Sequence, residues 1–239
     1  IMGGGYNGGW SGGSRVGKDA GDANDIIGNA IYIVNAETGA LVWRAIGPDG
    51  SGSCDDSVLT TFCADGRTES VDGDSFSRPS MLDSIPSAIT VVDTDNNNVV
   101  DRAYVGDSGG KVLRIDLTED KQKIGDDLRT SANWYVTELA NFGGSGANDR
   151  RFFHRPDFVR TRNSQTKVAY DAVIITSGDR ASPRETTVDN FAFMMKDALT
   201  VTNGNAGIKL RTPLVLADLT DITDVCIDGA DTEAACAAL

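Results

Sequence analysis

The sequence predicts an all-β fold, a partial or modified β-propeller built from short antiparallel blades. Three observations carry this. Apolar runs are short and rich in β-branched and aromatic residues, as in Ile31-Tyr32-Ile33-Val34 and Ile89-Thr90-Val91-Val92. The phrase strand, Asp or Asn, glycine turn, strand recurs, in Val34-Asn35-Ala36-Glu37-Thr38-Gly39 and in Val105-Gly106-Asp107-Ser108-Gly109-Gly110. Glycine (27) far outnumbers proline (6), which suits many tight turns between strands that keep their N–H donors. A blade takes about 40–50 residues. The 239 residues therefore read as one segment of a single propeller domain, 1–239, with roughly four or five blades and ring closure supplied from outside it.

In chain order, Ile1-Met2-Gly3-Gly4-Gly5-Tyr6 reads as the tail of a strand entering a glycine turn, the expectation for a fragment of a larger secreted protein. Residues 31–34 and 41–44 form a hairpin across a glycine-containing turn. From about 47 to 83 the chain is rich in Asp, Ser and Gly and reads as a surface insertion. Three closely spaced strands follow, 88–92, 102–105 and 111–117, and then a strand at 134–139 before the flexible Gly143-Gly144-Ser145-Gly146. Arg150-Arg151-Phe152-Phe153-His154-Arg155 mixes cations with aromatics, the composition either of inter-strand pairs and stacking contacts or of an anion-contact patch. The β pattern resumes at Val168, at 173–176 and at 191–194. Met194 and Met195 read as core filler, since thioethers do not suit a hard cation. The acidic tail after Asp218 has the look of a helix start.

Charge narrows the function classes. With 22 basic and 35 acidic residues the net charge is −13, which argues against a nucleic-acid surface. No run of 18 apolar residues exists, so no transmembrane helix is expected. Four cysteines fall as two close pairs, Cys54 with Cys63 and Cys226 with Cys236. Four cysteines permit three connectivities, and the two local bridges would each close a loop of about ten residues, worth roughly 2.5–3 kcal/mol. Neither spacing is that of a zinc knuckle or a redox C-x-x-C. Disulfides imply an oxidising compartment, so the cell exterior or periplasm is the expected address, with free cytosolic thiols as the alternative.

The strongest chemical signal is Asp93-Thr94-Asp95-Asn96-Asn97-Asn98-Val99-Val100-Asp101, between two strands. Oxygen-bearing side chains stand at its first, third, fifth and ninth positions and an apolar residue at the seventh, the ligand order of a calcium loop whose seventh residue gives its backbone carbonyl. The candidate ligands are Asp93, Asp95, Asn97, the Val99 carbonyl and Asp101, and the implied cofactor is Ca2+. Position six is Asn98, which tolerates the left-handed backbone better than most residues. Position twelve is Tyr104, so the bidentate glutamate of a helix–loop–helix site is missing, and the flanks are strand formers. The loop would thus pin a hairpin rather than open a helix pair. A solvated Asp/Asn turn is the alternative.

Several segments together resemble a known family, the C-terminal β-propeller of the type IV pilus tip-associated adhesin and assembly proteins (the PilY/PilC type). They are Gly3-Gly4-Gly5-Tyr6, residues 28–39, Ile85-Pro86-Ser87, the block from Asp93 to Gly110, Phe152-Phe153-His154-Arg155-Pro156-Asp157 and Ser177-Gly178-Asp179-Arg180. The resemblance implies a calcium-responsive module without catalysis, acting in pilus assembly and retraction control, adhesion and twitching motility. It implies pilins or minor pilins and a host cell surface as partners. It implies a location at the pilus tip or outer cell surface, with the periplasm in transit, and the same five metal ligands.

Two other readings stay open. Ala36-Glu37-Thr38-Gly39-Ala40-Leu41-Val42-Trp43 resembles the tryptophan motif that stacks blades in quinoprotein (PQQ) dehydrogenases, although it occurs clearly once, which favours Trp43 as a packing residue between blades. A carbohydrate-binding propeller with a structural calcium is the other. Hydrolase chemistry fares worse: His154 is the sole histidine, so no H-E-x-x-H pair is present.

Overall fold

A computed structural model describes residues 1–21, 24–25, 27–47, 70–72, 75–77, 80–94, 96–117, 134–198 and 212–223. The strands are β1 (Met2–Gly3), β2 (Trp10–Ser11), β3 (Ser14–Arg15), β4 (Ala30–Val34), β5 (Leu41–Ile46), β6 (Ser70–Asp72) and β7 (Ser75–Ser77), then β8 (Thr90–Val92), β9 (Arg102–Gly106), β10 (Lys111–Asp116), β11 (Tyr135–Asn141), β12 (Asp157–Arg162), β13 (Ala169–Thr176) and β14 (Ala192–Ala198). The only helical pieces among the described residues are three short 3-10 turns. The strands form sheets of order β1-β4-β5-β7-β6, β11-β10-β9-β8 and β12-β13-β14, plus the β2–β3 hairpin. Every pairing is antiparallel except β5 with β7, which runs parallel with Arg44 opposite Ser75.

The three larger sheets stack like blades, and the β8–β11 meander is the middle one. Its strands β9 and β10 are buried along their whole length because both faces are covered. Ala103, Val105, Leu113 and Ile115 point into one core with Ile31, Trp43, Ala45, Met81 and Ile85, where Trp43 meets Trp134 edge-on at 5.8 Å. Alternation sends Tyr104 and Val112 into the other core, with Phe142, Phe152, Val173, Ile175, Phe193 and Met195. Each fully buried large apolar side chain contributes about 1.5–3 kcal/mol, so these two interfaces fasten blade to blade. The all-β architecture of blade-like sheets agrees with the sequence expectation, and no closed ring is formed among the described residues.

Two differences from the sequence reading have physical causes. The insertion read at about 47–83 does not stay on the surface to its end: Met81 and Asp83 are buried, with Met81 inside the first core. Strand β12 was not expected, because Arg160 and Arg162 interrupt its apolar pattern, yet it pairs in full register with β13. Met195 fills the core as expected, whereas Met194 on the opposite face is exposed. Cys54, Cys63, Cys226, Cys236 and the acidic tail beyond 223 lie outside the described residues.

The hairpin turns obey one local rule. Asn35 Oδ1 accepts from the amides of Glu37 and Thr38, and Gly39 closes the turn at φ 71°. Asp107 Oδ1 likewise accepts from Gly109 and Lys111, while Gly110 adopts φ 81°. Gly110 is required for a second reason: a Cβ there would lie 2.5 Å from the Gly143 Cα.

Candidate metal-binding loop

The loop between β8 and β9 is organised by its own first residue. Asp93 accepts from the Asn97 amide through Oδ1 at 3.2 Å and from the Asn98 amide through Oδ2 at 2.8 Å. Asn97 Oδ1 takes the Val99 amide at 2.7 Å. Asp101 Oδ2 takes both the amide and the hydroxyl of Thr94, at 2.6 and 2.5 Å. Two reversals of backbone direction make this curl possible, at Asn96 (φ 61°) and Asn98 (φ 67°). Asn98 therefore adopts the left-handed geometry that position six of a calcium loop demands. The ends are clamped by the sheet, with the Asp101 amide donating to the Val92 carbonyl at 3.0 Å.

The donor set fits a hard cation. The carboxylates of Asp93 and Asp101 and the amide of Asn97 all present oxygen atoms, and a carboxylate has about four lone-pair sites, enough for a backbone N–H and an ion together. Asp95 lies outside the described residues, and among the described residues no three Asp, Glu, His or Cys side chains converge as a cage.

Behind the loop lies a layer of buried charge that the sequence reading did not single out. Arg102 Nη1 donates to Asp171 Oδ2 at 2.7 Å, and its Nε meets Asp116 Oδ1 at 3.4 Å. Arg114 holds Asp116 at 2.8 Å and Asp197 at 2.8 Å. The Tyr104 hydroxyl donates to Asp197 Oδ2 at 2.8 Å, and burial, then the Asp197 charge, pushes its pKa up. Arg160, on β12, closes the path to the loop: its Nε donates to Asp171 Oδ1 at 3.3 Å and its Nη1 to the Thr94 carbonyl. Three arginines thus face three aspartates between the middle and third blades. The legible signal is charge set among apolar strand residues, Arg114 and Asp116 in Val112-Leu113-Arg114-Ile115-Asp116 and Asp171 in Ala169-Tyr170-Asp171-Ala172-Val173.

A second polar cluster sits where the 80–85 segment, β10 and the N-terminal region meet. Asp83 lies between Lys18 Nζ (3.1 Å) and Lys111 Nζ (3.4 Å). Asp107 is fully buried beside them; burial pushes its pKa up to about 7, against the pull of Lys111 and with a push from the Asp83 charge. Arg151 is held by Asp19 at 2.6 Å, Asp149 at 2.8 Å and Asp179 at 3.2 Å, while Arg150 stacks over Phe191 at 5.0 Å. The 150–157 segment therefore makes ion pairs and stacking contacts, with His154 exposed beside them.

No helix among the described residues is long and apolar enough to cross a membrane. No family model matches the chain, and no curated protein matches it. Among solved structures, the chain is similar to the crystal structure of the Pseudomonas aeruginosa PilY1 C-terminal domain, at 20% sequence identity and a TM-score of 0.46, over 72% of this chain and 32% of that one. The chain thus spans under a third of the length of the structure it matches.

Proposed function

We propose that this chain is a calcium-binding, non-catalytic β-propeller module of a type IV pilus tip-associated protein, acting in pilus assembly and retraction control, adhesion and twitching motility. The observation that supports the metal reading best is the curled 93–101 loop, with Asn98 at φ 67° and the Asp93 carboxylate gathering the amides of Asn97 and Asn98. The pilus setting, with pilins or minor pilins and a host surface as partners, rests on the family resemblance of the segments quoted above, as does a place at the pilus tip or outer cell surface.

Asp93, Asp95, Asn97, the Val99 carbonyl and Asp101 would hold the ion. Calcium supplies positive charge that offsets three carboxylates confined to nine residues. The chain's own contribution is to pre-curl the loop and anchor it. Asp101 leads directly into Arg102 of the buried charge layer, and Thr94 accepts from Arg160. Order in the loop is thereby linked to the seam between two blades. A ligand that binds only the folded state stabilises it by about 2.7 kcal/mol at a hundredfold excess over Kd. Titration of wild type with calcium by calorimetry should give a binding isotherm that Asp93→Ala abolishes. The calcium-induced rise in melting temperature should vanish in Asp101→Ala, and its survival there would reject the loop as the site.

A further inference from the structure

A cavity of about 590 Å³ opens between residues 146–154, the 176–190 segment joining β13 to β14, and Arg15 at the end of β3. Its size falls within the roughly 300–1,000 Å³ of small-ligand sites, but its wall departs from their mostly apolar character. Buried at its side is Arg151, 7% exposed and held by the carboxylates of Asp19, Asp149 and Asp179. The lining carries Arg15, Arg151 and Arg180 against Asp149, Asp179 and Glu185, so its formal charges cancel. Backbone bonds brace the wall: the Asp189 amide donates to the Ala147 carbonyl at 2.9 Å, and the Gly178 amide to the Arg151 carbonyl at 2.9 Å. At the rim, Arg15 donates to Ser182 Oγ at 3.3 Å and stands 5.8 Å over the ring of Trp10, which is 71% exposed.

These features select a ligand chemistry. A net charge on the ligand would meet a like-charged partner on one side of the wall as readily as an opposite one, so the balance favours a neutral molecule. A braced polar wall rewards many hydroxyls, because its carboxylates accept, its guanidinium groups donate and its amide does both, in fixed directions. The exposed ring of Trp10, steadied by Arg15, adds a flat apolar platform beside the polar cavity. We infer that this cavity binds a neutral oligosaccharide, whose hydroxyls meet Asp149, Asp179, Arg180 and Asn190 while one sugar face lies on Trp10.

The site shares no residue with the 93–101 loop, so its test is separable from the calcium reading. The full chain is applied to an array of neutral oligosaccharides, with sialylated and sulfated oligosaccharides alongside. Wild type should be retained on neutral glycans with calcium or with chelator. Trp10→Ala and Asn190→Ala, both at exposed positions that leave the cores untouched, should each weaken retention about tenfold. No retention on neutral glycans, retention on acidic glycans alone, or retention undiminished in both variants would overturn the assignment.

Discussion

Lys167 occupies a backbone conformation that belongs to glycine. Its φ is 59°, and Asn163 around it repeats the Asn35 turn: the Asn163 Oδ1 takes the amides of Gln165 and Thr166, just as Asn35 takes those of Glu37 and Thr38. The backbone closures match too, Asn163 to Val168 and Asn35 to Ala40. A left-handed non-glycine residue costs about 1–2 kcal/mol, and the added freedom of glycine in the unfolded chain returns part of that. Lys167→Gly should therefore stabilise the protein by about 0.5–1 kcal/mol, seen as a small rise in thermal midpoint. Asp107 gives a prediction in pH. Its raised pKa means the folded state holds the proton while the unfolded chain releases it. The stabilisation is complete below about pH 4 and is lost as pH rises towards 7. Asp107→Asn should flatten that decline in chemical unfolding followed from pH 4 to 8.

At the scale of elements, β12 carries the consequence. Arg160 donates to the Thr94 carbonyl in the candidate metal loop and to Asp171 in the charge layer, and the Thr90 hydroxyl donates to the Pro156 carbonyl just before the strand. Loop and strand are thus tied at Thr94, and β8 is tied to the residue that precedes β12. Arg160 is partly exposed, so its loss should cost no more than about 1 kcal/mol of global stability. Its effect should fall on coupling. In wild type, calcium should slow amide hydrogen exchange in β12 and β13 as well as in the loop, whereas in Arg160→Ala the slowing should stay confined to the loop. Equal protection of β12 in both proteins would reject the link.

At the scale of the whole molecule, two kinds of seam hold the blades. The first is apolar, centred on Trp43 and Trp134; the second mixes an aromatic cluster with the Arg102–Arg114–Arg160 and Asp116–Asp171–Asp197 layer. A buried ion layer is a poor source of net stability when intact, yet removing one member strands its partners without solvent. Arg114→Met leaves Asp197 and Asp116 short of their main partner and should cost about 3–5 kcal/mol in denaturant unfolding. That exceeds what loss of the exposed Arg160 contact does, and the ordering of the two variants checks the account.

Much of this was written locally. Most of the strand positions, the Asn and Asp turns and the role of Trp43 as a packing residue follow from periodicity and side-chain chemistry over a few residues. The sequence left β12 unseen because Arg160 and Arg162 break its alternation, and left Met81 on the surface because the residues before it are polar. It also gave no hint that Asp149, Arg151, Asp179 and Arg15 share one cavity. These features come from residues as much as 167 positions apart, Arg15 and Ser182 among them, meeting only when blades stack. Local chemistry determines turns and strands because its interactions span a few bonds. Which charges face one another across a seam is decided by packing, since only the folded interior removes the water that would otherwise separate them.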